Sequence, residues 1–172
     1  MEDKTPSKTK YLAFTALLLG MSVVLSIIEN SLPPPAFAAP GVRLGLSNIP
    51  VMYALFFLDK GRAFTVAVLK SGFVLLTRGV TAGTFSICGG ILSLTTMVVL
   101  MRLSNKASYT AISICGAVSH NVGQLAAVSV IYASFNMIIY LPPLVAAGVV
   151  AGVITATVLR CVMPAFERIM RL

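Results

Sequence analysis

Apolar runs broken at regular intervals by basic residues decide what this chain can fold into. Runs at 11–28, 44–58, 62–78, 84–101, 108–132 and 140–161 predict six helices crossing about 30 Å of hydrocarbon. The second is short and carries Pro50. Only 10% of the residues are charged and 58% are hydrophobic, against roughly 25% charged in a soluble domain. Such a chain belongs in a bilayer.

The positive charges give the orientation. Lys4, Lys8, Lys10, Lys60, Arg62, Arg102, Lys106, Arg160, Arg168 and Arg171 all fall on one side of the six spans. The gaps on the other side, 29–43, 79–83 and 133–139, have only Arg43 and the edge residue Arg78. The positive-inside rule therefore places both termini and the loops at 59–61 and 102–107 in the cytoplasm. The expected organisation is a cytoplasmic tail at 1–10, an all-α six-helix membrane domain at 11–161, and a cytoplasmic tail at 162–172. A net charge of +8 spread over short cytoplasmic loops faces anionic lipid rather than nucleic acid.

Lysines ahead of the first apolar run, and Ala36-Phe37-Ala38 after it, resemble a secretory signal and its cleavage site. The run is too long for a signal core and further spans follow, so it is expected to remain as a membrane helix. Cys88, Cys115 and Cys161 lie inside spans with no Cys or His at metal-ligand spacing, which reads as small packing or lipid-facing residues. Neither a metal nor a cofactor is expected.

Ser86-Ile87-Cys88-Gly89-Gly90 in the fourth span recurs as Ser113-Ile114-Cys115-Gly116-Ala117 in the fifth. At about 100° per residue, Ser86, Gly89, Gly90, Ser93 and Met97 share one stripe of a helix. Ser113, Gly116, Ala117, His120 and Gln124 form the matching stripe, with Ile112, Cys115, Val118, Val122 and Leu125 opposite. Small and polar residues on one face mean close helix contact or a cavity wall, because lipid leaves polar groups unsatisfied. His120, Asn121 and Gln124, three polar side chains within two turns, either bond neighbouring helices or line a cavity.

Lys70 stands about eight residues, or roughly 12 Å, into the third span, and Arg78 a further 12 Å along. A Lys or Arg at mid-membrane costs about 2.5–3.5 kcal/mol on insertion scales, and no Asp or Glu interrupts a span interior to neutralise it. Either these bases snorkel or bond backbone carbonyls, or Arg43, Lys70 and Arg78 are the electropositive part of an outward-facing pocket for a phosphate or carboxylate. The loop at 29–43 contains Pro33, Pro34, Pro35 and Pro40, which stiffen it into a lid-like segment. Asn48, at the outer end of the second span, completes the expected wall.

The runs Gly41-Val42-Arg43-Leu44-Gly45-Leu46-Ser47-Asn48, Phe85-Ser86-Ile87-Cys88-Gly89-Gly90-Ile91-Leu92-Ser93-Leu94 and Ser113-Ile114-Cys115-Gly116-Ala117-Val118-Ser119-His120-Asn121-Val122-Gly123-Gln124 resemble the Gx transporter family. Its members also carry the label heptaprenyl diphosphate synthase component I. The resemblance covers about residues 10 to 160, and that family is similar in turn to the S components of energy-coupling factor (ECF) transporters. It implies a compact six-helix, substrate-binding subunit of a bacterial or archaeal plasma membrane. Such a subunit docks on a scaffold membrane protein and two ATPases. In S components small residues of the first helix meet the scaffold, which here implies Ala13, Ala16 and Gly20 as docking residues.

The second label raises a rival, a prenyl diphosphate synthase subunit. Chain elongation needs aspartate clusters holding Mg²⁺ on diphosphate, whereas this chain has only Glu2, Asp3, Glu29, Asp59 and Glu167, scattered over both sides. That excludes a catalytic subunit of this type and leaves a non-catalytic membrane partner. No Gly-Lys-Ser/Thr phosphate loop is present, so energised uptake requires partner ATPases. A channel or facilitator acting alone is the third class. Basic residues favour an anionic group and the Leu, Val, Ile and Met content an apolar body, which fits a prenyl or quinone-related precursor and leaves a vitamin open.

Overall fold

Every expected span is helical in the computed structural model, which describes residues 8–31, 45–103, 107–133 and 135–171. Helix α1 is Lys8–Ser31, α3 is Lys60–Arg78, α4 is Val80–Leu103, α5 is Tyr109–Ile131 and α6 is Leu141–Arg171. Between α1 and α3, a 3₁₀ turn at Leu46–Asn48 leads into α2, Ile49–Tyr53, which continues as a π-helical turn at Ala54–Leu58. A further 3₁₀ segment, Phe135–Tyr140, precedes α6. The result is an all-α bundle of six membrane helices, with no strand among the described residues.

Local sequence explains the breaks. Pro50 falls in the first turn of α2, where its missing N–H has no helical partner to lose. Asp59 is extended, with φ of −159°, and its carboxylate accepts from the Arg62 backbone N–H at 2.8 Å, capping α3. Its other oxygen pairs with the Arg62 guanidinium at 2.8 Å. The gap expected at 79–83 is the single residue Gly79, whose φ of +87° is open to glycine at little cost. Helices α3 and α4 can then close because Gly83 lies against Leu75: a β-carbon there would sit 2.5 Å from the Leu75 Cβ.

The helices that are long and apolar enough to cross a membrane include α1, α4, α5 and the stretch Asn136–Arg168 around α6. The segment Leu46–Leu58 is too short for this, and Ile49, Pro50, Val51, Met52, Tyr53, Ala54 and Leu55 are all buried. It is wrapped by α1, α3 and α6, so protein rather than lipid surrounds its irregular backbone. Helix α4 packs on α3 and α5, and α5 on α6. Small residues let these backbones meet: β-carbons at Gly148 and Gly152 would lie 2.9 Å and 2.5 Å from the Cα atoms of Val118 and Ile114.

Helix α5 is thus covered on two sides, which corrects the two-faced pattern expected of it. Ile112, placed opposite the polar stripe, is buried with Ser113, Gly116 and His120. Helix α6 runs to Arg171 through Pro164, beyond the expected end at 161. At the Asp59 end of the bundle, Phe166 packs edge-on against Phe14 and Tyr53, with ring centroids 5.8 Å and 4.5 Å away. The start of α1 and the last turns of α6 therefore share one end.

Candidate functional site

At the other end of the bundle, Gly45 takes a left-handed conformation, φ +77°, and starts the turn that carries Ser47 and Asn48 inward. The last turn of α1 supplies Glu29, which is buried and accepts from the Gly45 N–H and, at 3.4 Å, from the Ser47 hydroxyl. Ser22 Oγ donates to the Ser47 carbonyl at 2.5 Å and ties the turn to α1. From α3, Lys70 is only 4% exposed, and its Nζ donates to Ser47 Oγ at 3.2 Å and to Asn48 Oδ1 at 2.5 Å. The ammonium expected to lack a carboxylate has one in range, reached through a single serine. Glu29 belongs to the end of its helix by sequence, and the turn folds back over it.

Two cavities adjoin this cluster. The larger, narrow within and open to the exterior, is walled by Asn48 and Met52, by Ser93 and Met97 of α4, by His120 and Asn121 of α5, and by Thr155 of α6. The smaller has Lys70 and Ser71 in its wall and shares Asn48, Ser93 and Met97 with the first. The polar stripes of α4 and α5 thus meet in one place, as their spacing requires. Asn121 is held by donation of its Nδ2 to the Leu144 carbonyl at 2.9 Å. His120 Nε2 lies 3.1 Å from Gln124 Nε2, one turn on. Its Nδ1 is buried, and although the Gly89 backbone is close enough to act on the ring, no hydrogen bond of ordinary geometry reaches that atom from the described residues.

Asn48, Lys70, His120 and Asn121 are therefore cavity residues, and Gln124 stands behind His120, half-buried. Arg78 does not line either of these cavities. It is exposed at the last turn of α3, within electrostatic reach of Glu29. Arg43, with 32–44 of the expected lid, lies outside the described residues. Ala13, Ala16 and Gly20 share an exposed face of α1, and a β-carbon on Gly20 would meet nothing within 4 Å. Cys88, Cys115 and Cys161 are exposed on outer faces, as expected of residues packed toward lipid. Sequence reasoning missed Glu29 and Ser47 as partners of Lys70, and missed α6 as a wall. The one available signal for α6 was Thr155, a buried hydroxyl in an otherwise apolar stretch.

The walls offer hydrogen-bond donors, an ammonium, an imidazole and amides, set among methionines and small residues. Such a set binds oxygen acceptors on a partly apolar molecule. A family model described as heptaprenyl diphosphate synthase component I matches residues 18–162. A solved S component of a bacterial ECF transporter superposes with a TM-score of 0.67, covering 96% of this chain and 100% of its own length at 18% identity, which establishes a common fold. No curated protein matches the chain in sequence.

Proposed function

The chain belongs to the heptaprenyl diphosphate synthase component I family, and we propose that it is the substrate-binding membrane subunit of an ECF-type uptake transporter in a bacterial or archaeal plasma membrane, and not an enzyme. The observation that carries this reading is the pair of cavities at Asn48, built inside a fold that an S component shares along its whole length. The basic residues support an orientation in which the Asp59 end is cytoplasmic and the cavities lie toward the outside. The ligand is a small molecule with an anionic group placed toward Lys70 and an apolar body among Met52, Met97 and Ala151; a prenyl or quinone-related precursor and a vitamin both satisfy this description. Arg43 and Arg78 add positive charge that draws the anionic group, and Asn48, His120, Asn121 and Gln124 act within.

Docking follows from α1. Its face with Ala13, Ala16 and Gly20 is open, so another helix can approach there as closely as α6 approaches α5 at Gly148 and Gly152. The partners are a scaffold membrane subunit and two ATPases. Coexpression with such a module and affinity capture through an ATPase tests the reading. The chain should copurify, and the Ala16→Leu, Gly20→Leu pair should abolish copurification while leaving the isolated protein folded. Failure of the wild-type chain to copurify overturns the transporter reading.

The family description favours a second reading, a non-catalytic partner of a prenyl diphosphate synthase. Glu29 is engaged by Gly45 and Ser47 and Asp59 by Arg62, which leaves neither for Mg²⁺ on a diphosphate. Capture of a soluble prenyl-elongating subunit, in place of ATPases, decides for this alternative.

A further inference from the structure

His120 is the one histidine of the chain, and it stands in the larger cavity with an unusual hydrogen-bond state. With the Gln124 amide oriented so that its Nε2, a donor only, faces the ring at 3.1 Å, His120 Nε2 is the acceptor. An imidazole that accepts at one nitrogen is neutral and carries its proton on the other. That other nitrogen, Nδ1, is the buried polar side-chain atom left without a partner among the described residues. The Gly89 backbone approaches the ring without reaching ordinary hydrogen-bond geometry, and an N–H donor buried without a full partner is costly and rare in folded proteins. The walls around it, which include Met52, Met97, Gly116, Ala117 and Ala151, bring no charged side chain into this cavity. The nearest ammonium, that of Lys70, lies behind Asn48 and is engaged by Asn48 Oδ1 and Ser47 Oγ, so a carboxylate or phosphate drawn in beside Nδ1 exchanges its hydration mainly for neutral donors, whereas a carbonyl loses far less.

We infer that His120 Nδ1–H is a ligand-reading donor and that the transported molecule presents to it a neutral carbonyl-type oxygen, such as that of a ketone, quinone, amide or lactam. Gln124 is the positioning residue that fixes the tautomer. The division of labour deepens the transport reading and rests on it for the word transported: Lys70 faces the charged group in the smaller cavity, and His120 reads a neutral acceptor in the larger one. Asn48, which lines both cavities, stands between the two.

A single histidine makes the test direct. In protein labelled with ¹⁵N-histidine and reconstituted in lipid nanodiscs, long-range proton–nitrogen correlations should show Nδ1 protonated and Nε2 bare. Cyclohexanone should shift Nδ1 saturably. Methylenecyclohexane, its isostere without an acceptor, should not, and cyclohexanecarboxylate should act more weakly at Nδ1. Gln124→Leu should release the tautomer into a mixture and raise the cyclohexanone half-saturation concentration about five- to tenfold, the scale of one hydrogen bond. A proton found on Nε2 in the wild type overturns the donor assignment. A larger saturable shift with the carboxylate, or none with cyclohexanone, overturns the neutral class. Loss of copurification with an ECF module beside an intact cyclohexanone response removes the transporter reading and leaves this site standing.

Discussion

Substitution of Glu29 and Lys70, singly and together, measures whether the cluster at the Ser47 turn behaves as a compensated pair. Both side chains are buried, at 7% and 4% exposure, and both bond the Ser47 hydroxyl, at 3.4 Å and 3.2 Å. Those two lengths hold the ammonium and carboxylate within about 7 Å, where Coulomb attraction is about 2.4 kcal/mol at an effective dielectric constant of about 20. Glu29→Gln takes from the buried ammonium the carboxylate it reaches through Ser47, and Lys70→Met leaves a buried carboxylate. Each should destabilise the protein by about 1.5–3 kcal/mol, the scale of hydrogen bonds to charged groups. Glu29→Gln with Lys70→Met removes both charges and should cost less than the sum, by about 1–2 kcal/mol. The full Coulomb figure is not reached because Arg78 shares the field of Glu29. Reversible unfolding by increasing SDS mole fraction, followed by far-ultraviolet circular dichroism, gives the four free energies. Additivity within about 0.5 kcal/mol would show that the two groups act independently and would refute the pairing.

Three further outcomes are expected. Gly152→Ala places a β-carbon 2.5 Å from the Ile114 Cα and should destabilise by about 1–3 kcal/mol in the same assay, while Gly20→Ala, with open space around it, should change stability little; equal effects sink the packing argument. Asp59→Ala removes the bond to the Arg62 N–H and the ion pair, and should lower stability by about 1 kcal/mol, visible as a reduced Tm; an unchanged Tm means α3 starts without this cap. Reporter fusions at Asp59, Asn105 and Leu172 should all report a cytoplasmic location, and an outside signal from any one contradicts the charge-based topology.

Hydropathy made the helices legible in the sequence because a bilayer leaves few options: a long apolar run must satisfy its own backbone. The echo of Ser86 to Gly90 in Ser113 to Ala117 likewise made the meeting of α4 and α5 legible, since a periodic stripe points in one direction whatever lies opposite. The pairing of Lys70 was hidden for the converse reason. Glu29 is distant in sequence and ends its helix, and its contact runs through Ser47, so only the return of the chain over α1 reveals it. Burial of Ile112 was hidden too, because it comes from a core cluster with Leu94 and Met97 of α4 and Leu159 of α6, residues distant in sequence that only the fold brings together.

The shortness of α2, which made it the weakest of the spans on sequence grounds, is what creates the site. Leu46–Leu58 rises about 20 Å, against about 28 Å for Lys60–Arg78 beside it. With Asp59 joining the two at one end, the Gly45 turn stops roughly a turn and a half of α3 below Arg78, and Ser47 and Asn48, the next residues down, come to about the level of Lys70. The bonds from Lys70 to Ser47 and Asn48 agree with that level. A full-length helix here would fill the space with side chains and satisfy its own backbone. A truncated one leaves a turn inside the bundle, with an asparagine and a compensated lysine beside two cavities. Irregular backbone at membrane depth is tolerated where protein or a cavity surrounds it, and here it has both.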